Sequence, residues 1–186
     1  MKCALALLGI FVVLSGCSAG NRELERGMEL RSELLSAQQC VFDAEITADY
    51  GDRLNIFSVS CQGDTGGGLK FTVTAPESIS GITGEISESG GRLTFDETAL
   101  QFDTMTDDCV SPVSAPWIFL KTLRGGYLAA AGMEGELLHL TVHDSYAEDA
   151  LCLDIWVDAK NKPVRAEILH ENQRIITLMV KNFDLQ

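Results

Sequence analysis

In Val41-Phe42-Asp43-Ala44-Glu45-Ile46-Thr47-Ala48-Asp49 apolar and polar residues alternate from Phe42 onward. Successive side chains of a strand point to opposite faces, so Phe42, Ala44, Ile46 and Ala48 form a dry face and Asp43, Glu45, Thr47 and Asp49 a wet one. Residues 54–61 repeat the pattern after a short Tyr-Gly-Asp break, which reads as an antiparallel return. A two-residue turn at Tyr50-Gly51 sets Phe42 opposite Val59, Ala44 opposite Phe57 and Cys40 opposite Cys61, so all matched pairs share one face. A sheet with one buried face is therefore the core of the fold.

The same period recurs downstream. Residues 69–74 alternate Leu69, Phe71 and Val73 with Lys70, Thr72 and Thr74 and stop before Pro76. Residues 79–87 and 92–95 make a hairpin across Ser89-Gly90-Gly91, and 99–103 add a short strand. The C-terminal part reads as five strands, over 127–131, 136–143, 151–158, 163–170 and 174–184. Residues 151–157 and 175–180 carry apolar side chains on both faces, which predicts cover on both: helices on one side, and a partner, a ligand or sheet curvature on the other.

Two segments change to a helical period. Asn21 is placed to cap a helix over 22–38, with Glu23 and Glu25 in its first turn and Leu24, Gly27, Met28, Leu34 and Leu35 on one stripe. Pro112 and Pro116 are tolerated only in a first turn, so a second helix runs through Trp117, Ile118, Phe119, Leu120 and Leu123 until Gly125-Gly126 ends it. The expected class is α+β: an N-terminal helix, a strongly curved antiparallel sheet of about nine to eleven strands, and a short apolar helix against its concave face.

At the start of the chain, Lys2, the apolar run 3–13 and Leu14-Ser15-Gly16-Cys17 resemble the signal and lipobox of a bacterial lipoprotein. The run falls short of the roughly 20 apolar residues that a membrane span needs. The resemblance implies cleavage after residue 16, lipidation of Cys17 and a short tether over 17–20, followed by a domain over 21–186. Several acyl chains give stable anchoring where one would not. The expected place is extracytoplasmic, on the outer leaflet of the cytoplasmic membrane.

One of the 14 basic residues, Lys2, lies in that leader, which leaves 13 against 27 acids and a mature charge of −14. Such a balance argues against nucleic acid and against adsorption to anionic headgroups. Besides Cys3 and Cys17, four cysteines remain: Cys40, Cys61, Cys109 and Cys152. They form no CxxC pair, so a zinc site is not expected, and an oxidising compartment favours disulfides. The turn register favours Cys40–Cys61, leaving Cys109 for Cys152; four buried free thiols are the other reading.

The order Phe71, Pro76, Ile79-Ser80-Gly81-Ile82, Leu93-Thr94-Phe95 resembles the strand, proline, strand phrase of the LolA-like lipoprotein-carrier superfamily. The apolar central helix resembles the segment that covers the open mouth of that half-barrel. Asp158, Pro163 to Ile168, Ile176 to Val180 and Asn182-Phe183 resemble the closing hairpin of its GerS-like members. The resemblance implies a non-catalytic module that holds a hydrophobic ligand, an acyl chain or lipid, on the concave face, with Trp117, Ile118, Leu120, Leu138, Leu140 and Val142 as candidate lining. The alternative is an envelope or spore-related lipoprotein that binds a protein partner while its own side chains fill the half-barrel.

Catalytic and metal constellations are thin. His139, Thr141 and His143 share a strand face, but alternate positions lie about 7 Å apart and no third ligand follows. Asp154 and Asp158 flank Trp156 on one strand face, a weak echo of a glycosidase pair and a common arrangement on wet strands, and Asp103, Asp107 and Asp108 lack the spacing of a calcium loop. Gly66-Gly67-Gly68 lacks the lysine of a phosphate-binding loop, and no GxSxG or SxxK occurs beyond the expected leader and tether. No enzyme, metal or cofactor is expected, and an envelope hydrolase ranks third.

Overall fold

The computed structural model describes residues 19–106, 109–147 and 150–186; the expected leader and Cys17 lie outside them. The elements are α1 (Ala19–Ser36), β1 (Gln39–Asp49), β2 (Leu54–Asp64), β3 (Leu69–Ala75), β4 (Thr83–Ser87), β5 (Gly90–Phe95), β6 (Thr98–Phe102), β7 (Met105–Thr106), β8 (Cys109–Val110), α2 (Ala115–Gly125), β9 (Tyr127–Glu134), β10 (Leu137–His143), β11 (Cys152–Val157), β12 (Pro163–His170) and β13 (Gln173–Leu185). Eleven of the strands form one open antiparallel sheet in the order β6-β5-β4-β3-β2-β1-β13-β12-β11-β10-β9, and β7 with β8 forms a separate ribbon. No described helix is long and apolar enough to cross a membrane.

Two meanders, β1–β6 and β9–β13, are therefore joined through their first and last strands. Along β1 the dry residues Phe42, Ala44, Ile46 and Ala48 are all buried, as the alternation predicts. Both helices lie on that inner face. α2 buries Trp117, Ile118, Phe119, Leu120 and Leu123, and Phe119 meets Phe42 edge-on at 5.7 Å between ring centres. α1 buries Leu30 and Leu34. Its Gly27 permits close approach, since a Cβ there would stand 2.9 Å from Leu140 Cδ2. Arg31 Nε donates to the Leu123 carbonyl at 2.8 Å, satisfying an acceptor that the end of α2 leaves over.

Three expectations need correction. Asn21 does not cap α1, because the helix already starts at Ala19. The β1–β2 turn has four residues, not two: Asp49 pairs with Leu54, Tyr50 N–H donates to the Arg53 carbonyl at 3.0 Å, and Gly51 supplies a positive φ of 84°. That slips the register by two, so Cys40 faces Gly63 and Cys61 faces Phe42. The expected Cys40–Cys61 bridge is accordingly absent; Cys40, Cys61 and Cys152 are free thiols, and the side chain of Cys109 is outside the described set. Finally, the apolar outer face of β11 needs no partner to cover it, because Trp156 is covered within the sheet, as described below.

Burial pushes the Cys40 thiol up to about 12. Cys61 is raised further, first by burial and then by the charges of Asp43 and Cys40. Both groups hold their protons tighter folded than unfolded, where a thiol titrates near 8.5. Their contribution to stability is thus complete below about pH 8.5 and lost as pH rises towards 12. We expect denaturation midpoints to fall over that range, and Cys40→Ala with Cys61→Ala to flatten the slope. Alkylation without reductant should label half-buried Cys152 in the native chain and reach Cys40 and Cys61 only in denaturant; recovery of a linked Cys40–Cys61 peptide would contradict this register.

Candidate functional site

The six residues expected to line a groove come together on the inner face. Trp117, Ile118 and Leu120 from α2 and Leu138, Leu140 and Val142 from β10 are 0–5% exposed and belong to one continuous core. Apolar alternation carried them inward, and α1 and α2 then fill the space above them. Leu120 sits so close to β2 that a Cβ on Gly63 would lie 2.2 Å from its Cδ2. Gly63 is therefore the notch into which α2 settles. Trp117 Nε1 donates to the Gly67 carbonyl at 2.9 Å, so the glycine-rich loop after β2 serves as a seat for α2.

Trp117 and Leu120 also border an open cleft of about 370 Å³, together with Leu35 and the Gly125-Gly126 end of α2. Lys121 and Arg124 are part of its lining. Lys121 Nζ stands 4.9 Å over the Trp117 ring and 3.8 Å from Glu88, while Arg124 Nη1 donates to the Asp64 carbonyl at 2.6 Å. This opening meets bulk solvent at the edge of the core and does not penetrate to Leu138, Leu140 or Val142, which are at most 1% exposed.

The outer face of β9–β13 carries an organised polar network that pattern reading missed. In one cross-strand row, Trp156 lies between the His139 ring, stacked at 4.8 Å and 16°, and the Arg165 guanidinium, 4.5 Å from its centroid. Its Nε1 donates to Glu134 Oε2 at 2.8 Å. The neighbouring row sets Thr141, Asp154 and Glu167 side by side. Glu167 is only 7% exposed and is held by Arg165 and, at 3.0 Å, by Arg174. The visible signal was the outward alternation Asp154/Trp156 and Arg165/Glu167; what was missing was the register that stacks them.

Within this network Thr141 Oγ1 donates to Asp154 Oδ1 at 2.8 Å. His139 Nε2 contacts the same oxygen at 3.0 Å. Asp158 closes the β11–β12 turn by accepting the amides of Lys160 and Lys162 at 2.8 and 2.9 Å. Asp49, Asp64 and Asp144 hold turns in the same way. Among the described residues no group of three His, Cys, Asp or Glu could hold a metal ion; Asp107 and Asp108 lie outside them.

At the other end of the sheet the inner face is less covered. The row Phe71, Gly84, Leu93, Leu100 runs from the buried Phe71 to Leu100, which is 64% exposed, and Phe95 beside it is 49% exposed.

No protein-family model matches the chain, and no curated protein matches it in sequence. Solved structures resemble it in overall arrangement at low identity. A LolA superfamily protein from Nitrosomonas europaea shares 10% identity over 91% of this chain and 94% of its own, with a TM-score of 0.47. The lipoprotein LppX from Mycobacterium tuberculosis shares 12% over 87% and 93%, at 0.41. A chain of the complex of the CwlD amidase with the GerS lipoprotein from Clostridioides difficile shares 11% over 88% and 96%, at 0.43. None of these reaches a TM-score of 0.5, so what this chain binds has to be read from its own residues.

Two substitutions probe this architecture. Gly63→Ala drives a methyl into Leu120 and should cost about 1–3 kcal/mol, measured by denaturant unfolding. Around Glu167, whose side chain is 10% exposed against 39% and 58% for Arg165 and Arg174, the damage should be unequal. Arg165→Met with Arg174→Met strands a buried carboxylate and should cost about 3 kcal/mol, whereas Glu167→Gln leaves two guanidiniums that reach water and should cost about 1 kcal/mol.

Proposed function

We propose that this chain is a non-catalytic lipoprotein of the bacterial cell envelope, anchored through acylated Cys17 on the outer leaflet of the cytoplasmic membrane. The domain over residues 21–186 is a half-barrel that works by binding a protein partner. The observation that supports partner binding over a lipid cargo is the filled interior: the six residues placed to line a groove are 0–5% exposed and packed under α1 and α2. A cargo pocket keeps room for its ligand; here side chains already occupy that room.

One observation favours a second reading. The cleft beside Trp117 and Leu120 combines an apolar wall with Lys121 and Arg124 and with Glu88 and Asp144, and has the volume of a small-ligand site. A small amphiphile suits that lining.

Titration with a fluorescent fatty acid separates the two. Under the partner-binding reading no saturable change occurs, and native mass spectrometry of the purified chain finds no bound lipid. Saturable binding that is lost in Trp117→Ala establishes the cargo reading instead. Metabolic labelling with palmitate should mark the wild-type chain and not Cys17→Ser.

A further inference from the structure

We propose that the free edge of β6 is a docking strip for an extended, positively charged segment of the partner protein, which pairs with it as an added strand. This rests on the partner-binding reading and names the chemistry of the partner.

β6 is a terminal strand of the eleven-stranded sheet. An exposed strand edge presents unpaired amides and carbonyls, and proteins guard it with charge, proline, a bulge or a covering helix. The opposite edge carries several features of this kind, although most of β9 is itself exposed. α1 packs against β9, Arg26 Nη1 reaches Met133 Sδ at 3.8 Å, the β9–β10 ladder carries a bulge beside Thr141, and the strand ends in Glu134. β6, Thr-Ala-Leu-Gln-Phe, has none of them within its length.

The geometry of the edge is set by its hairpin. Asp96 and Glu97 form a two-residue turn with φ of 45° and 63°, closing on the pair Phe95–Thr98. That is the type I′ pattern, in which the closing pair exchanges backbone hydrogen bonds and alternate residues then face away from the partner strand. The amides and carbonyls of Ala99 and Gln101 consequently point outward. Leu100 and Phe95, both on the inner face, offer apolar neighbours to alternate side chains of an incoming strand.

Charge selects the occupant. From Thr83 to Asp103 the chain holds a single base, Arg92, against Glu85, Glu88, Asp96, Glu97 and Asp103. Glu85 is paired with Lys70 and Glu88 with Lys121, whereas Asp96 and Glu97 stand exposed at one end of β6 and Asp103 at the other. A second copy of this chain would bring the same acids to the edge and be repelled; a segment that alternates basic and apolar residues matches both features.

A fluorescein-labelled peptide alternating lysine and valine tests this on the full chain in detergent micelles. Expected are saturable binding that weakens with added salt, no binding of the glutamate–valine counterpart, and added hydrogen-exchange protection at the Ala99 and Gln101 amides. Ala99→Pro and Gln101→Pro remove outward donors without touching the β5 ladder and should weaken binding by about tenfold or more. Should either fail to fold, Leu100→Lys adds a repelling charge at the same strip and should weaken binding likewise. The proposal is overturned if the lysine–valine peptide does not bind, if it binds a folded variant as tightly as the parent, or if sedimentation shows a second copy on the edge. Each of those failures leaves the fatty-acid result intact, whereas saturable fatty-acid binding removes the partner-binding reading itself.

Discussion

The pairing of β1 with β13 is the constraint on which the rest of the molecule depends. Every other ladder in the large sheet joins strands that follow one another in sequence; this one alone welds the two meanders. It runs from Cys40 opposite Leu185 to Ala48 opposite Ile176, with an irregularity between Val41 and Asp43. Asn182, at a φ of 53°, sits beside that irregularity and donates from Nδ2 to Asp43 Oδ2 at 2.7 Å. A period-two ladder tolerates slippage unless something pins it, and this pair is such a pin. The core inherits the dependence: Phe42 from β1 packs between Phe119 of α2 and Phe183 of β13. So non-local a closure belongs to the slow end of folding topologies.

Much of this was legible in the residues, for identifiable reasons. Strand alternation gave β12 its limits, Pro163–His170, without error, and the dry faces of β1, β3 and β10 are the buried ones. Proline and paired glycines bracketed α2. The β1–β2 register escaped because Asp49-Tyr50-Gly51-Asp52 accommodates more than one turn length, and a slip of two keeps every side chain on its own face. The face was therefore correct while the Cys40 and Cys61 partners were not.

The inner face shows a deeper limit. An inward apolar residue reads the same whether it lines a void or fills one, so Leu138, Leu140 and Val142 were identifiable as inward and not as packed. The outer face shows the converse. Trp156 looked like surface awaiting a cover, yet His139 and Arg165 from adjacent strands already cover it. Cross-strand neighbours one connection away on each side decide that outcome, and no local pattern contains them.

The two ends of the sheet are unlike, and that asymmetry governs what contact between molecules can become. Runaway stacking of strands needs a molecule that accepts at one border and donates at the other. α1 packs against β9 at one border, whereas β6 at the other carries no helix among the described residues, so the two borders do not match each other. Unlike borders disfavour the repeated edge-to-edge stacking that fibres need.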